Sequence, residues 1–189
     1  MPALYYDLAS PYAYLAVARA GAVLGAEPDL QPVLAGAIFN WRGHGSWAHT
    51  PSREAHVAEV ESRARRYGLP PIAWPPGWPA NSLQAMRAAT WATDRGAGRE
   101  FARIAFARAF ADGADLSDHA VLDDVCERAG LSPAEMREAI ATRAIKARLK
   151  DATTRAYAAG VAGVPCLRVG DRVFYGDDQL EAAAVAVAA

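Results

Sequence analysis

Asp7-Leu8-Ala9-Ser10-Pro11-Tyr12-Ala13-Tyr14-Leu15-Ala16 carries a strand-to-helix turn close to the N-terminus. Leu4, Tyr6 and Leu8 alternate with other residues, as they would on a short strand with one buried face. Ser10 then reads as a helix N-cap and Pro11 as the first helical residue. A hydroxyl at a helix start sits among unpaired backbone N–H groups, where an anion is stabilised. From the residues alone, Ser10 either caps this helix or also holds a reacting anion.

Outward from that turn, a helix is expected over residues 11–24, ending near Gly25, and a strand over 30–34. Pro32 in that strand points to an edge position, where its missing N–H does no harm. The glycine- and aromatic-rich segment 36–51 suits a mobile loop able to cover a pocket. Thr50-Pro51 offers a second cap and first-turn proline for a helix ending near Gly68. Five prolines between Gly68 and Pro79 exclude a regular helix there. Helices follow from about residue 81 to 95, 99 to 111 and 118 to 129, then from the capping box Ser132-Pro133-Ala134-Glu135 to about 146, and from 149 to 159. Cys166-Leu167-Arg168-Val169 and Arg172-Val173-Phe174-Tyr175 flank Gly170-Asp171 as a hairpin, and a last helix covers 177–188. The order βαβ, helical insert, ββα predicts an α/β protein.

Bulk properties narrow the function. A 189-residue chain of 52% hydrophobic and 22% charged residues is an ordinary globular domain. A formal charge of −1 favours neither nucleic acid nor an anionic membrane surface. No apolar run approaches the ~20 residues that span a bilayer, and the first residues lack the pattern of a signal peptide. Cys126 and Cys166 form no CxxC, so the expectation is a cytoplasmic chain that does not depend on disulfides. His44, His49, His56 and His119 have no ligand spacing among themselves or with cysteine, so no metal site is expected. Cys126 reads as inert packing, Arg63, Arg65 and Arg66 as a solvated helix face, and Trp41, Trp47, Trp74 and Trp78 as core or pocket wall.

The front motif Tyr6-Asp7-Leu8-Ala9-Ser10-Pro11-Tyr12 and the back motifs Gly163-Val164-Pro165 and Phe174-Tyr175-Gly176-Asp177-Asp178-Gln179 together resemble one branch of the thioredoxin fold. That branch holds the 2-hydroxychromene-2-carboxylate isomerases, the kappa-class glutathione transferases and the DsbA-like oxidoreductases. The resemblance implies a thioredoxin-like domain from residues 1–35 and 152–189, with residues 36–151 as an inserted all-helical subdomain. It implies glutathione as cofactor, a small aromatic or unsaturated molecule as substrate, and a homodimer. It also implies a cis Val164-Pro165 bond facing Ser10, with the Val164 backbone pairing the cysteine of glutathione. Gly176, Asp177, Asp178 and Gln179 would then meet the γ-glutamyl end, and Arg42, His44 and Asn81 the substrate side.

Where disulfide exchange needs a nucleophilic thiolate, this chain has Ser10-Pro11-Tyr12-Ala13, with no sulfur. Ser10 suits instead the stabilisation of a bound thiolate, whose ordinary pKa near ~8.5 falls at helix N-termini. The expected activity is therefore a glutathione-dependent isomerase of the chromene-carboxylate type. A kappa-like transferase and a non-catalytic binding protein are the alternatives. Cys166, just after Pro165, is a candidate neighbour of Ser10. Gln179 stands where the family often has arginine, His44 where it often has an amide, and Arg42 is the only cation between Phe39 and Trp47.

Overall fold

A computed structural model describes residues 1–188. Its centre is a four-stranded sheet in the order β2-β1-β3-β4, made by β1 (Ala3–Tyr6), β2 (Asp29–Pro32), β3 (Cys166–Val169) and β4 (Arg172–Tyr175). β1 pairs parallel with β2 and antiparallel with β3, and β3 pairs antiparallel with β4 across the Gly170-Asp171 turn. β2 is an edge strand, as Pro32 requires. Val33 N–H donates to Tyr6 O at 3.0 Å, so alternation turns the nitrogen of Pro32 toward the open side.

Alternation along the strands divides the interior. Leu4, Tyr6 and Leu167 face a large core completed by α1 (Pro11–Leu24), α4 (Leu83–Asp94), α5 (Gly98–Phe110) and α9 (Leu180–Ala188). Tyr5 and Cys166 face a smaller core with Ile38 of α2 (Ala35–Trp41) and Ala156 of α8 (Arg143–Ala158). The large core joins the sheet to the helical segment without a break: Tyr6 lies 5.8 Å from Phe106, centroid to centroid, and both are buried. The remaining helices are α3 (Arg53–Arg66), α6 (His119–Arg128) and α7 (Pro133–Ala141). The α/β thioredoxin-like arrangement with a large helical insertion is thus present. α8 runs through residues 151 and 152, and Ala189 lies outside the described residues. Among the described residues no helix is long and apolar enough to cross a membrane.

Three local expectations need correcting. Residues 35–41 are helical, not loop, because Ala35 and Ile38 bury against α8 and Thr153 Oγ1 accepts from Leu34 N–H at 3.1 Å. Helix α3 starts at Arg53; Thr50 instead donates its hydroxyl to Trp47 O at 2.8 Å, closing a 3-10 turn over Trp47–His49. The break between α7 and α8 falls at Thr142, not near residue 147. Thr142 Oγ1 accepts from Ile145 N–H at 3.3 Å and so caps a new helix.

Candidate active site

At the end of β1 the chain must turn sharply into α1, and buried Asp7 fixes that turn. Its carboxylate accepts from Ala9 N–H and from Ala35 N–H, each at 3.0 Å, which ties α2 to the start of α1. Burial pushes the Asp7 carboxyl above its usual range, against these hydrogen bonds and one from Ser82.

Ser10 has extended backbone angles and its Oγ accepts from Ala13 N–H at 3.2 Å, so it is an N-cap. It is also more than a cap. A hydroxyl offers one proton and two lone pairs, and accepting uses only a lone pair. Among the described residues the Ser10 proton has no acceptor and the Tyr12 N–H, on the first turn, has none either. Pro11 has no N–H to satisfy. Two donors at the positive end of a helix dipole therefore point to an anion position.

A cavity of about 540 Å³ opens over this position, within the size range of roughly 300–1,000 Å³ usual for ligand sites. Val164-Pro165 forms one wall as a cis peptide, and Trp78-Pro79, also on the lining, is cis as well. Val164 is buried, yet neither its N–H nor its carbonyl has a partner among the described residues. Such a pair of orphan groups beside a cavity is suited to an extended peptide segment.

The second flank is polar and comes from α3. Arg63 Nη1 donates to Asp177 Oδ1 at 2.6 Å, and Nη2 lies 2.5 Å from Glu59 and 3.5 Å from Asp178. Asp177 is fully buried and also accepts from the Tyr67 hydroxyl at 3.1 Å, so its oxygens are committed inside the protein. Burial raises its carboxyl pKa in spite of Arg63. Asp178 is the exposed acid of the pair and the freer one for a ligand. Burial also works against the Arg63 charge, but Glu59, Asp177 and Asp178 outweigh it and lift its pKa. The expectation of a solvated Arg63-Arg65-Arg66 face is corrected here: Arg63 is turned inward, while Arg65 and Arg66 are exposed.

The third flank is aromatic. Trp78 donates its indole N–H to Ala9 O at 3.1 Å, which locks it beside Ser10. Trp47 packs on Trp78 and on His56, with centroids 5.2 and 4.6 Å apart. Trp74 stacks behind Trp78 rather than on the cavity, and Trp41 is far away, against Tyr157 on the surface.

Of the residues expected from sequence, Ser10, Asn81, Val164, Pro165, Gly176, Asp177 and Asp178 meet at the cavity. Gln179 is exposed and outside it. So are Arg42, which ends α2, and His44, whose ring lies 5.2 Å from Phe39. Asn81 also accepts from Leu83 N–H at 3.0 Å. Cys166 does not approach Ser10: it points into the smaller core, where burial pushes its thiol up to about 12. Cys126 is likewise buried, its thiol raised to about 11. Among the described residues no group of His, Cys, Asp and Glu is placed to hold a metal.

Sequence reasoning gave no role to Tyr12, His56 or Glu59, which also line the cavity. Spacings of three and four place 56, 59 and 63 on one stripe of α3, a signal that was available but reads equally as a solvated face.

Comparison with known proteins agrees with this architecture. The DSBA-like thioredoxin domain family profile matches residues 3–188. A 2-hydroxychromene-2-carboxylate isomerase of Sphingobium xenophagum is 28% identical over 184 residues, covering 94% of this chain and 92% of the relative. Among solved structures, a 2-hydroxychromene-2-carboxylate isomerase superposes with a TM-score of 0.89 at 19% identity, over 99% of this chain and 94% of that one. The cytosolic disulfide reductase DsbM from Pseudomonas aeruginosa, solved with GSH, gives a TM-score of 0.63 at 19% identity, over 99% and 95% of the two chains.

Proposed function

This chain belongs to the DSBA-like thioredoxin domain family, and on that premise we propose that it is a glutathione-dependent isomerase of the 2-hydroxychromene-2-carboxylate type. The observation that carries the reading is the convergence of four unpaired backbone and hydroxyl groups on one cavity: Ser10 O–H, Tyr12 N–H, and the N–H and C=O of Val164. The Sphingobium relative supports the reaction class, and the GSH in the DsbM structure supports the ligand.

The residues present fit glutathione. Val164 offers a donor and an acceptor for the backbone of its cysteine, and Asp178 an exposed carboxylate for its ammonium. Glutathione, when bound, supplies the thiolate that adds reversibly to an unsaturated carbon of the substrate. Ser10 donates its proton to the position of the sulfur charge, and Tyr12 N–H adds a second donor there. Trp47 and Trp78, packed on each other at a tilt, give an aromatic substrate an apolar wall and keep water from it. Asn81 borders the substrate side. Neither cysteine of the chain reaches the cavity, so the chain brings no thiol of its own to a disulfide exchange.

Product analysis with 2-hydroxychromene-2-carboxylate and glutathione tests the proposal. Isomerisation with all glutathione recovered is expected. Consumption of glutathione as a conjugate would make the protein a transferase instead, and binding without turnover would leave a non-catalytic binding protein.

A further inference from the structure

The contact between α1 and α3 inside the cavity constrains where its protons lie. Tyr12 Oη lies 2.8 Å from His56 Nδ1 and 3.0 Å from Glu59 Oε2. Glu59 is held as a carboxylate, chiefly by its hydrogen bond from Arg63, and can only accept. The single Tyr12 proton therefore goes to Glu59, and burial together with Glu59 raises the Tyr12 pKa, keeping that proton in place. The contact to His56 is then completed by a proton on Nδ1, and in the neutral ring Nε2 is the acceptor. The His56 ring lines the cavity, fixed against Trp47 at 4.6 Å and edge-on to Tyr12 at 6.0 Å.

We propose that His56 is the acid–base residue of this cavity, exchanging a substrate hydroxyl proton through Nε2, with Tyr12 and Glu59 as the residues that set its tautomer. The proposal rests on the isomerase reading above. A 2-hydroxychromene carries a hydroxyl and the ring oxygen on the same carbon. To open the ring, Nε2 takes the hydroxyl proton, and the O–H electron pair becomes the second bond of a carbonyl. The bond from that carbon to the ring oxygen breaks with its electron pair going to the oxygen, which receives the proton back from Nε2 as a phenol. Atoms and charge balance with no oxidant, reductant or further reactant.

The charged and titratable groups that line the cavity with His56 are Glu59 and Arg63 on its own helix, Tyr12 from α1, His49 from the 3-10 turn, Asp7 at the end of β1, and Asp177 and Asp178 after β4, of which Tyr12 and Glu59 lie nearest its Nδ1. The ring is part-exposed, so its replacement leaves the core intact. His56→Asn keeps an amide N–H near the place of Nδ1–H and removes Nε2. We expect its kcat to fall by roughly 100-fold or more, in line with general acid–base catalysis. Glutathione binding, followed by calorimetry, should be unchanged. A second measurement needs no substrate: 15N NMR of the free protein should find the Nδ1–H tautomer at His56, and Tyr12→Phe should shift the ring toward Nε2–H. Wild-type kcat in His56→Asn, or an Nε2–H tautomer in the wild type, would overturn the proposal. If the wild type binds no glutathione, it is the isomerase reading that fails, and the tautomer still decides whether His56 is set as a base.

Discussion

Because the Ser10 hydroxyl accepts from Ala13 N–H through a lone pair, replacing it can separate capping from chemistry. An N-cap serine replaced by alanine costs about 1 kcal/mol, but by glycine only a few tenths. In a domain of this size the first corresponds to a Tm loss of roughly 2–4 °C. Loss of one aimed donor costs about 10²–10³ in rate. Ser10→Ala and Ser10→Gly should therefore differ in thermal melts but lose turnover alike. Asp7 gives a pH prediction. Its folded pKa is raised, so its contribution to stability is complete below the unfolded carboxylate range and is lost as pH rises through the folded pKa. Thermal melts of Asp7→Asn against wild type should show the variant gaining relative stability as pH rises, and levelling off above the folded pKa. Ser10 was legible because cap and proline are adjacent in sequence. Tyr12, His56 and Arg63 were not, since their roles depend on α3 lying across the start of α1, forty and more residues away.

Among the elements, α3 ties the acid flank together. Arg63→Ala leaves fully buried Asp177 without its cation, which for a broken buried pair costs roughly 3–5 kcal/mol. The sign of its pH dependence follows: losing Arg63 raises the Asp177 pKa further, so denaturant melts should show the deficit shrink as pH falls and Asp177 becomes protonated. At the end of β4, Gly176 has φ +111, and a Cβ there would stand 2.5 Å from Asp178 Oδ1. Gly176→Ala should weaken glutathione binding by displacing Asp178, measured by calorimetry, at a cost in stability above about 1 kcal/mol. Helix ends with a local signature, such as the Ser132–Glu135 box, were readable. Helix α2 was not, because it is short and glycine-containing and is held by Asp7 and Thr153 from distant parts of the chain. The helix break at Thr142 carries no such mark, because good helix formers follow it.

For the molecule as a whole, the edge strand and the C-terminal hairpin were legible because alternation, Pro32 and the hairpin turn are local marks. The division of the interior into two cores was not, and it is that division which decides the fate of Cys166. One residue after a wall of the cavity, it points into the smaller core, away from the lining. Thiol-reactive probes at neutral pH should label neither cysteine until the protein is unfolded. On the proposed reading the sulfur at Ser10 comes from a ligand, and the ultraviolet thiolate absorbance of added glutathione tests this most directly. At neutral pH the wild type should show bound thiolate and Ser10→Gly should not. Glutathione that fails to bind at millimolar concentration, or binds with its thiol still protonated, would contradict the account.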